Sequence, residues 1–313
     1  MRFDVRDINK RITRDPIAFI GNCDKMYYRK VTIAADVIIR SMEFSPVVLL
    51  AGPSGSTKTT TAQNIVKELE HRGIRAHKVS LDDYFMTLNR DTCPRTEDGE
   101  IDFESPLLLD MELLSSHFKA LKHGEEILIP HFDFTTQTRK EDEMTPLSIS
   151  KDEVVIFEGI HALNDDLAIH SPEALGLFVT VRSQYVCGEN GILSGAACRL
   201  MRRLVRDDNF RGTGALDTLK TWANVCLGET KHIDPYKDRA DYIVDTGLAY
   251  EVCVLAPTAA KLLEEVGPEA ESFPEASSVY MANRLFEHLP MEIVPKNSPL
   301  REFIGPVGFV KKL

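Results

Sequence analysis

The stretch over residues 46–73 constrains this chain more than any other. Pro46-Val47-Val48-Leu49-Leu50-Ala51 is a short, almost wholly apolar run. Such a run suits a strand buried on both faces of a parallel sheet. A turn rich in glycine, serine and threonine follows, Gly52-Pro53-Ser54-Gly55-Ser56-Thr57-Lys58-Thr59-Thr60. Beyond it Ile65, Val66 and Leu69 recur at helical spacing, and Gly73 is placed to end that helix. The turn follows the pattern G-x-x-x-x-G-K-[ST], except that Thr57 stands where the second glycine belongs. Backbone N–H groups of such a turn converge into an anion cradle, and the helix that follows adds the positive end of its dipole. The cradle takes in Gly52, Ser54, Gly55, Ser56, Thr57 and Thr60. Lys58 is expected on the β- and γ-phosphates of a nucleotide. The Thr59 hydroxyl is expected on magnesium, a hard ion that prefers oxygen. A β-branched residue at Thr57 is strained if the position needs a left-handed backbone.

The alternation continues downstream. Strands are predicted at 75–81, 126–129, 154–157, 177–181 and 242–244, and helices at 107–122, 196–206 and 216–226. This is the pattern of an α/β fold with a parallel sheet flanked by helices. Residues 1–45 are charged and helix-leaning and are expected to form an N-terminal helical extension. The core is expected over 46–263. Residues 264–313 are expected to be a C-terminal appendage packed on that core, with a helix near 279–289.

Composition excludes several classes. A hydrophobic fraction of 43% is ample for a buried core, and a net charge of −11 argues against nucleic acid as a partner. The six cysteines form no C-x-x-C pair, so free thiols are expected rather than zinc or disulfides. No apolar run approaches the ~20 residues that span a bilayer. With a charged start, the chain is expected to be cytoplasmic and off the membrane. Self-association into a homo-oligomer is left open.

Arg199, Arg202, Arg203 and Arg206 lie at i, i+3, i+4 and i+7, which puts four guanidinium groups on one helical face. Such a stripe in an acidic protein calls for anions, and arginine binds phosphate in a bidentate fork. Arg211-Gly212 follows closely.

Taken together these motifs resemble the uridine kinase and phosphoribulokinase family, most of all its bacterial uridine kinase-like nucleoside kinases. The resemblance covers about residues 47–255, and less firmly 297–305. It implies a P-loop kinase fold with an arginine-rich helical lid, and ATP with Mg2+ as cofactors. Ser80-Leu81-Asp82-Asp83 resembles the turn whose aspartate faces the acceptor hydroxyl. Asp82 would then take the hydroxyl proton as catalytic base, or orient the nucleophile and help hold magnesium, while Asp83, its neighbour on an extended strand, points away. Glu158, ending Val154-Val155-Ile156-Phe157-Glu158-Gly159, would also hold magnesium. Glu104 takes the place of the family's ribose ligand, with Asp102 as an alternative. Residues 130–139 resemble the family's Y-D-F-x-x-H-x-R stretch, which implies acceptor contacts for Phe132, Asp133, Gln137 and Arg139. There the family's tyrosine is Phe132 and its histidine is Gln137, which leaves uridine itself open. The arginines, with Arg203 and Arg206 foremost and Arg199, Arg202 and Arg211 beside them, would close over the ATP phosphates. His232 is left without a role.

The resemblance implies phosphoryl transfer from ATP to the 5′-hydroxyl of a nucleoside, a small-molecule acceptor. Two alternatives stand beside it: a sugar or sugar-phosphate kinase of the phosphoribulokinase type, and an ATP-binding regulator that has lost catalysis.

Overall fold

A computed structural model of the chain describes residues 1–97, 99–169 and 171–309. The chain begins with a short strand β1 (Arg2–Asp4) and helices α1 (Val5–Arg14) and α2 (Pro16–Ser41). Then come β2 (Val47–Ala51), α3 (Lys58–His71), β3 (Arg75–Ser80) and α4 (Met111–Lys122). A hairpin of β4 (Ile127–Asp133) and β5 (Thr138–Leu147) precedes β6 (Glu153–Glu158), α5 (Asp165–Ala168) and β7 (Leu175–Thr180). Strands β8 (Gln184–Cys187) and β9 (Asn190–Leu193) lead to α6 (Gly195–Arg206), α7 (Ala215–His232) and β10 (Tyr242–Asp245). Helices α8 (Glu251–Val266), α9 (Pro274–Leu285) and α10 (Arg301–Ile304) follow.

The main sheet has five strands in the order β10-β7-β2-β6-β3, and every pair in it is parallel. Alternate residues of its central strands serve two apolar layers, because successive side chains point to opposite faces. Val48 and Leu50 join one layer with Val154, Ile156, Leu177 and Val179. Val47, Leu49 and Ala51 join the other with Val155, Phe157 and Phe178. A strand that must satisfy both layers has no room for polar residues, which is why β2 reads as one apolar run. The first layer is closed by α2, α3, α6 and α8, and the second by α4 through Leu114, Phe118 and Leu121. Among the described residues no helix is long and apolar enough to cross a membrane.

Several elements differ from the sequence expectation. The strand predicted at 126–129 does not enter the parallel sheet. It pairs antiparallel with β5 in a separate two-stranded hairpin. The helix predicted from 107 starts at Met111, since Asp110 caps it by accepting from the Leu113 amide at 3.0 Å. Pro106–Leu108 forms only one 3-10 turn before it. In the C-terminal region α9 starts at Pro274, a residue suited to a first helical turn, and stops at Leu285. A small sheet of β1, β8 and β9 was not anticipated.

Candidate active site

The phosphate-binding turn leaves the C-terminal end of β2, the middle strand of the sheet. On its β6 side the pairing Leu50↔Glu158 sets Glu158 beside the turn. The pairing Ser80↔Glu158 then sets the end of β3 beside Glu158. Three functional segments therefore meet at one edge because three neighbouring parallel strands end there together.

Gly52 admits no side chain, since a Cβ there would lie 2.0 Å from the Val179 carbonyl oxygen. Thr57 is held at φ 65° and ψ 34°, in the left-handed region. Its hydroxyl donates to the Ser56 carbonyl. A β-branched residue in that region costs about 1–3 kcal/mol, so the strain considered from sequence is built into this turn. The Lys58 ammonium folds back over the turn and donates to the Pro53 carbonyl at 3.2 Å. Thr60 donates to Glu302 of α10, which ties the first turn of α3 to the C-terminal region.

Thr59 donates its hydroxyl to Glu158 Oε1 at 2.8 Å. Lys78 Nζ lies 3.9 Å from the same oxygen. A hydroxyl and a carboxylate side by side are an all-oxygen donor set, which fits magnesium arriving with a nucleotide and keeping phosphate oxygens and water as its other ligands. Among the described residues no group of three or more acidic, histidine or cysteine side chains could hold a resident metal.

Asp82 lies in a 3-10 turn, Leu81–Tyr84, rather than on an extended strand. Its side chain reaches solvent but is crowded by the atoms around it. That crowding, with the Glu158 carboxylate nearby, pushes its carboxyl up to about 6, against the pull of Lys58 and Arg211. Asp83 faces His131 on β4 at 3.8 Å. The two acids diverge because the 3-10 turn separates them, not because a strand alternates.

Glu104 enters the same electrostatic neighbourhood. Loss of solvent raises its pKa, while Arg203 and Lys58 oppose the rise and Asp102 and Asp82 add to it. It packs on α7 at Gly228, where a Cβ would come within 2.4 Å of the Glu104 Cβ.

The hairpin residues divide. Phe132 contacts Phe85 at 5.6 Å and Phe134 at 5.0 Å between ring centroids, forming an aromatic group beside the Asp82 turn. Phe134 is 60% exposed. Asp133 accepts from the Thr135 and Thr136 amides, and these bonds hold its carboxyl below the usual carboxylate range. Gln137 sits at the tip with φ 57° and accepts from Arg90 at 3.3 Å. Arg139 spends its guanidinium on protein. It donates to Asp110 at 2.7 Å, to the Tyr84 carbonyl at 2.8 Å and to the Phe85 carbonyl at 3.2 Å. It braces the Asp82 turn against the start of α4.

The arginine helix α6 lies against the phosphate-binding turn, and its guanidinium groups do not act alike. Arg199 donates to the Ser54 carbonyl at 3.0 Å and pairs with Glu229 at 2.6 Å. Arg202, 1% exposed, donates to the Gly55 carbonyl at 3.0 Å and pairs with Glu251 at 2.5 Å. These two clamp the turn from beneath, with both charges already met by carboxylates. Arg203 reaches the Ser54 hydroxyl at 3.3 Å. Arg203, Arg206 and Arg211 gather around the single buried carboxylate of Asp207, at 3.2, 2.8 and 3.6 Å. One carboxylate cannot neutralise three guanidinium groups, so this cluster is the part of the stripe suited to an incoming anion. Asp207 begins a π-helical turn, Asp207–Arg211, which brings Arg211 round to the cluster.

Sequence reasoning missed Lys78, and it took Asp207 only as a partial partner for the arginines rather than as the centre of three of them. Lys78 carries no local signal, being one of several polar residues on an edge strand. Asp207 follows the stripe directly, and its placement after Arg203 and Arg206 is the signal that could have found it.

The chain resembles known proteins. The family model for the phosphoribulokinase / uridine kinase family matches residues 47–252. The uridine kinase of Staphylococcus haemolyticus is 28% identical over 216 residues, which are 68% of this chain and 93% of that protein. The uridine kinase of Schizosaccharomyces pombe is 34% identical over 173 residues; they make up 55% of this chain but span only 34% of that protein. A solved structure from Silicibacter sp. TM1040, described as a candidate fructose transport system kinase, has the same fold with a TM-score of 0.53 and 18% identity, covering 68% of this chain and 98% of that one. With two thirds of its length inside the family match, and a strand-turn-helix unit, acidic strand end and arginine helix meeting at one edge of the sheet, this chain belongs to the phosphoribulokinase / uridine kinase family of kinases.

Proposed function

We propose that the protein transfers the terminal phosphoryl group of magnesium-ATP to the 5′-hydroxyl of a nucleoside. The observation that carries this reading is the convergence of Lys58, Thr59, Glu158 and Asp82 at the ends of β2, β6 and β3. Phosphoryl transfer needs positioning and charge neutralisation more than covalent help. The turn amides and Lys58 hold the phosphates. Magnesium, when bound with ATP between Thr59 and Glu158, would neutralise charge on the phosphate oxygens. Asp82, with its carboxyl pushed up to about 6, is suited to take the acceptor's proton near neutral pH. Arg203, Arg206 and Arg211 face the charge that develops on the transferred group. Glu104 supplies a carboxylate for ribose hydroxyls. The aromatic group of Phe85, Phe132 and Phe134 offers a surface for a flat base. The uridine kinase relatives support a nucleoside as the acceptor class.

A sugar acceptor is the second reading, because Gln137 and Arg139 are engaged by Arg90 and Asp110 and leave the base fewer polar contacts. The deciding experiment is ADP release from magnesium-ATP against a panel of nucleosides, pentoses and pentose phosphates, with Lys58→Ala as the control. Nucleoside-dependent release that Lys58→Ala abolishes supports the proposal. Release with sugars alone moves the protein to the second reading. ATP binding without turnover on any acceptor sinks both and leaves a nucleotide-binding regulator.

A further inference from the structure

His161 follows β6 by three residues and is only 1% exposed. Neither of its ring nitrogens makes a hydrogen bond. Buried polar atoms without partners are rare in folded proteins, and each calls for an explanation. The ring is held in place all the same. His232 packs against it edge-on, with ring centroids 6.2 Å apart at 82°. His232 Nε2 in turn faces Asp102 Oδ2 at 3.4 Å. The backbones of Glu104 and His232 both approach the same ring, and neither completes a hydrogen bond to it. His161 is therefore set between the magnesium-side strand and the 102–104 segment that carries the acceptor-side carboxylates.

Its protonation state limits what it can meet. Burial lowers its pKa to about 3, and His232 and Lys58 oppose its charging further. A neutral imidazole offers one donor and one acceptor, the complement of a hydroxyl. It offers no positive charge to a phosphate. The carboxylates around the 102–104 segment are Asp82, Asp102 and Glu104, and Lys58 and Arg203 act on them from the other side. The nearest guanidinium on the hairpin, Arg139, is already paired with Asp110. Lys58 and Arg203 belong to the turn and α6, on the nucleotide side.

We propose that His161, held by His232 and Asp102, determines acceptor specificity by hydrogen-bonding an uncharged hydroxyl of the acceptor. The acceptor is then a polyhydroxylated molecule that carries no phosphate of its own. The inference rests on the kinase reading for its place in the reaction. In this structure the backbone of the 102–104 segment lies against the ring.

The test uses the full chain and calorimetric binding of uridine, D-ribose and D-ribose 5-phosphate, with ATP binding measured alongside. His161→Leu is expected to weaken uridine or ribose binding by at least about tenfold, with ATP affinity unchanged. His161→Asn, which keeps a donor and an acceptor, is expected to recover most of that loss. The unaltered protein is expected to prefer ribose to ribose 5-phosphate. If His161→Leu does not fold, His161→Asn and the ribose comparison decide the matter. Equal acceptor affinity in the folded Leu variant overturns the proposal. So does preference for the phosphorylated sugar, or binding of neither uridine nor ribose. The kinase reading falls separately, and only if magnesium-ATP is turned over with no acceptor of either kind.

Discussion

The Thr59 hydroxyl and the Glu158 carboxylate lie 2.8 Å apart although 99 residues separate them in sequence. The contact exists because β2 and β6 are neighbours and end together. Glu158→Gln keeps the shape and a hydrogen-bonding oxygen but removes the charge. The magnesium concentration for half-maximal activity is expected to rise by about 10–100-fold, with the fold unchanged. A magnesium titration at fixed ATP checks this.

If Asp82 takes the acceptor's proton as proposed, it links activity to pH. As its carboxyl is pushed up to about 6, the rate should climb as pH rises through that value and level off above it. Asp82→Asn should lower kcat by about 10²–10⁴-fold and abolish that limb. The sign for stability is opposite. Between its ordinary value of 3.8 and about 6, the folded protein holds a proton that the unfolded chain has released. Asp82 therefore costs stability above that window, and the cost disappears as pH falls through it. Asp82→Asn should be the more stable protein at pH 7, with the difference closing toward pH 4. Urea unfolding across pH reads this directly.

Thr57→Gly removes a β-branched side chain from a left-handed backbone. The relief, less the extra freedom glycine gives the unfolded chain, should stabilise the protein by about 1 kcal/mol. ATP should bind at least as tightly. A lower urea midpoint for the glycine variant would show that the threonine is not strained.

The two groups of arginines should fail differently. Arg203→Ala removes a guanidinium facing the transferring charge, and kcat should fall by about 10²–10³-fold with little change in stability. Glu251→Gln leaves the buried Arg202 charge unpaired, and stability should fall by about 3–5 kcal/mol. Steady-state kinetics and urea unfolding on both variants distinguish the roles. Equal behaviour would mean that the stripe acts as one unit.

Much of this arrangement is legible in the sequence because it is local. The run before Gly52, the turn and the helix from Lys58 read directly, since burial on both faces forces β2 to be apolar throughout. Glu158 reads equally well as the acid ending such a run. The division among the arginines does not. Periodicity places Arg199, Arg202, Arg203 and Arg206 on one face, but Glu229 and Glu251, distant in sequence, take up the charges of the first two. His161 is hidden for a similar reason. Its burial comes from the 102–104 segment and α7, and nothing within ten residues announces them. The β4–β5 pairing was misplaced because a four-residue apolar stretch gives no direction to its partner.

The clamp beneath the turn has a consequence for synthesis on the ribosome. The segment that recognises phosphate is made early, but Gly55 is held by Arg202, and the Ser56 carbonyl accepts from Thr246 at 2.8 Å. A nascent chain released only as far as α3 has the motif without the residues that shape it. Nucleotide can stabilise this protein only after the 175 further residues from the end of α3 to Thr246 have emerged and docked. Ligand-assisted folding is thereby confined to its final stage.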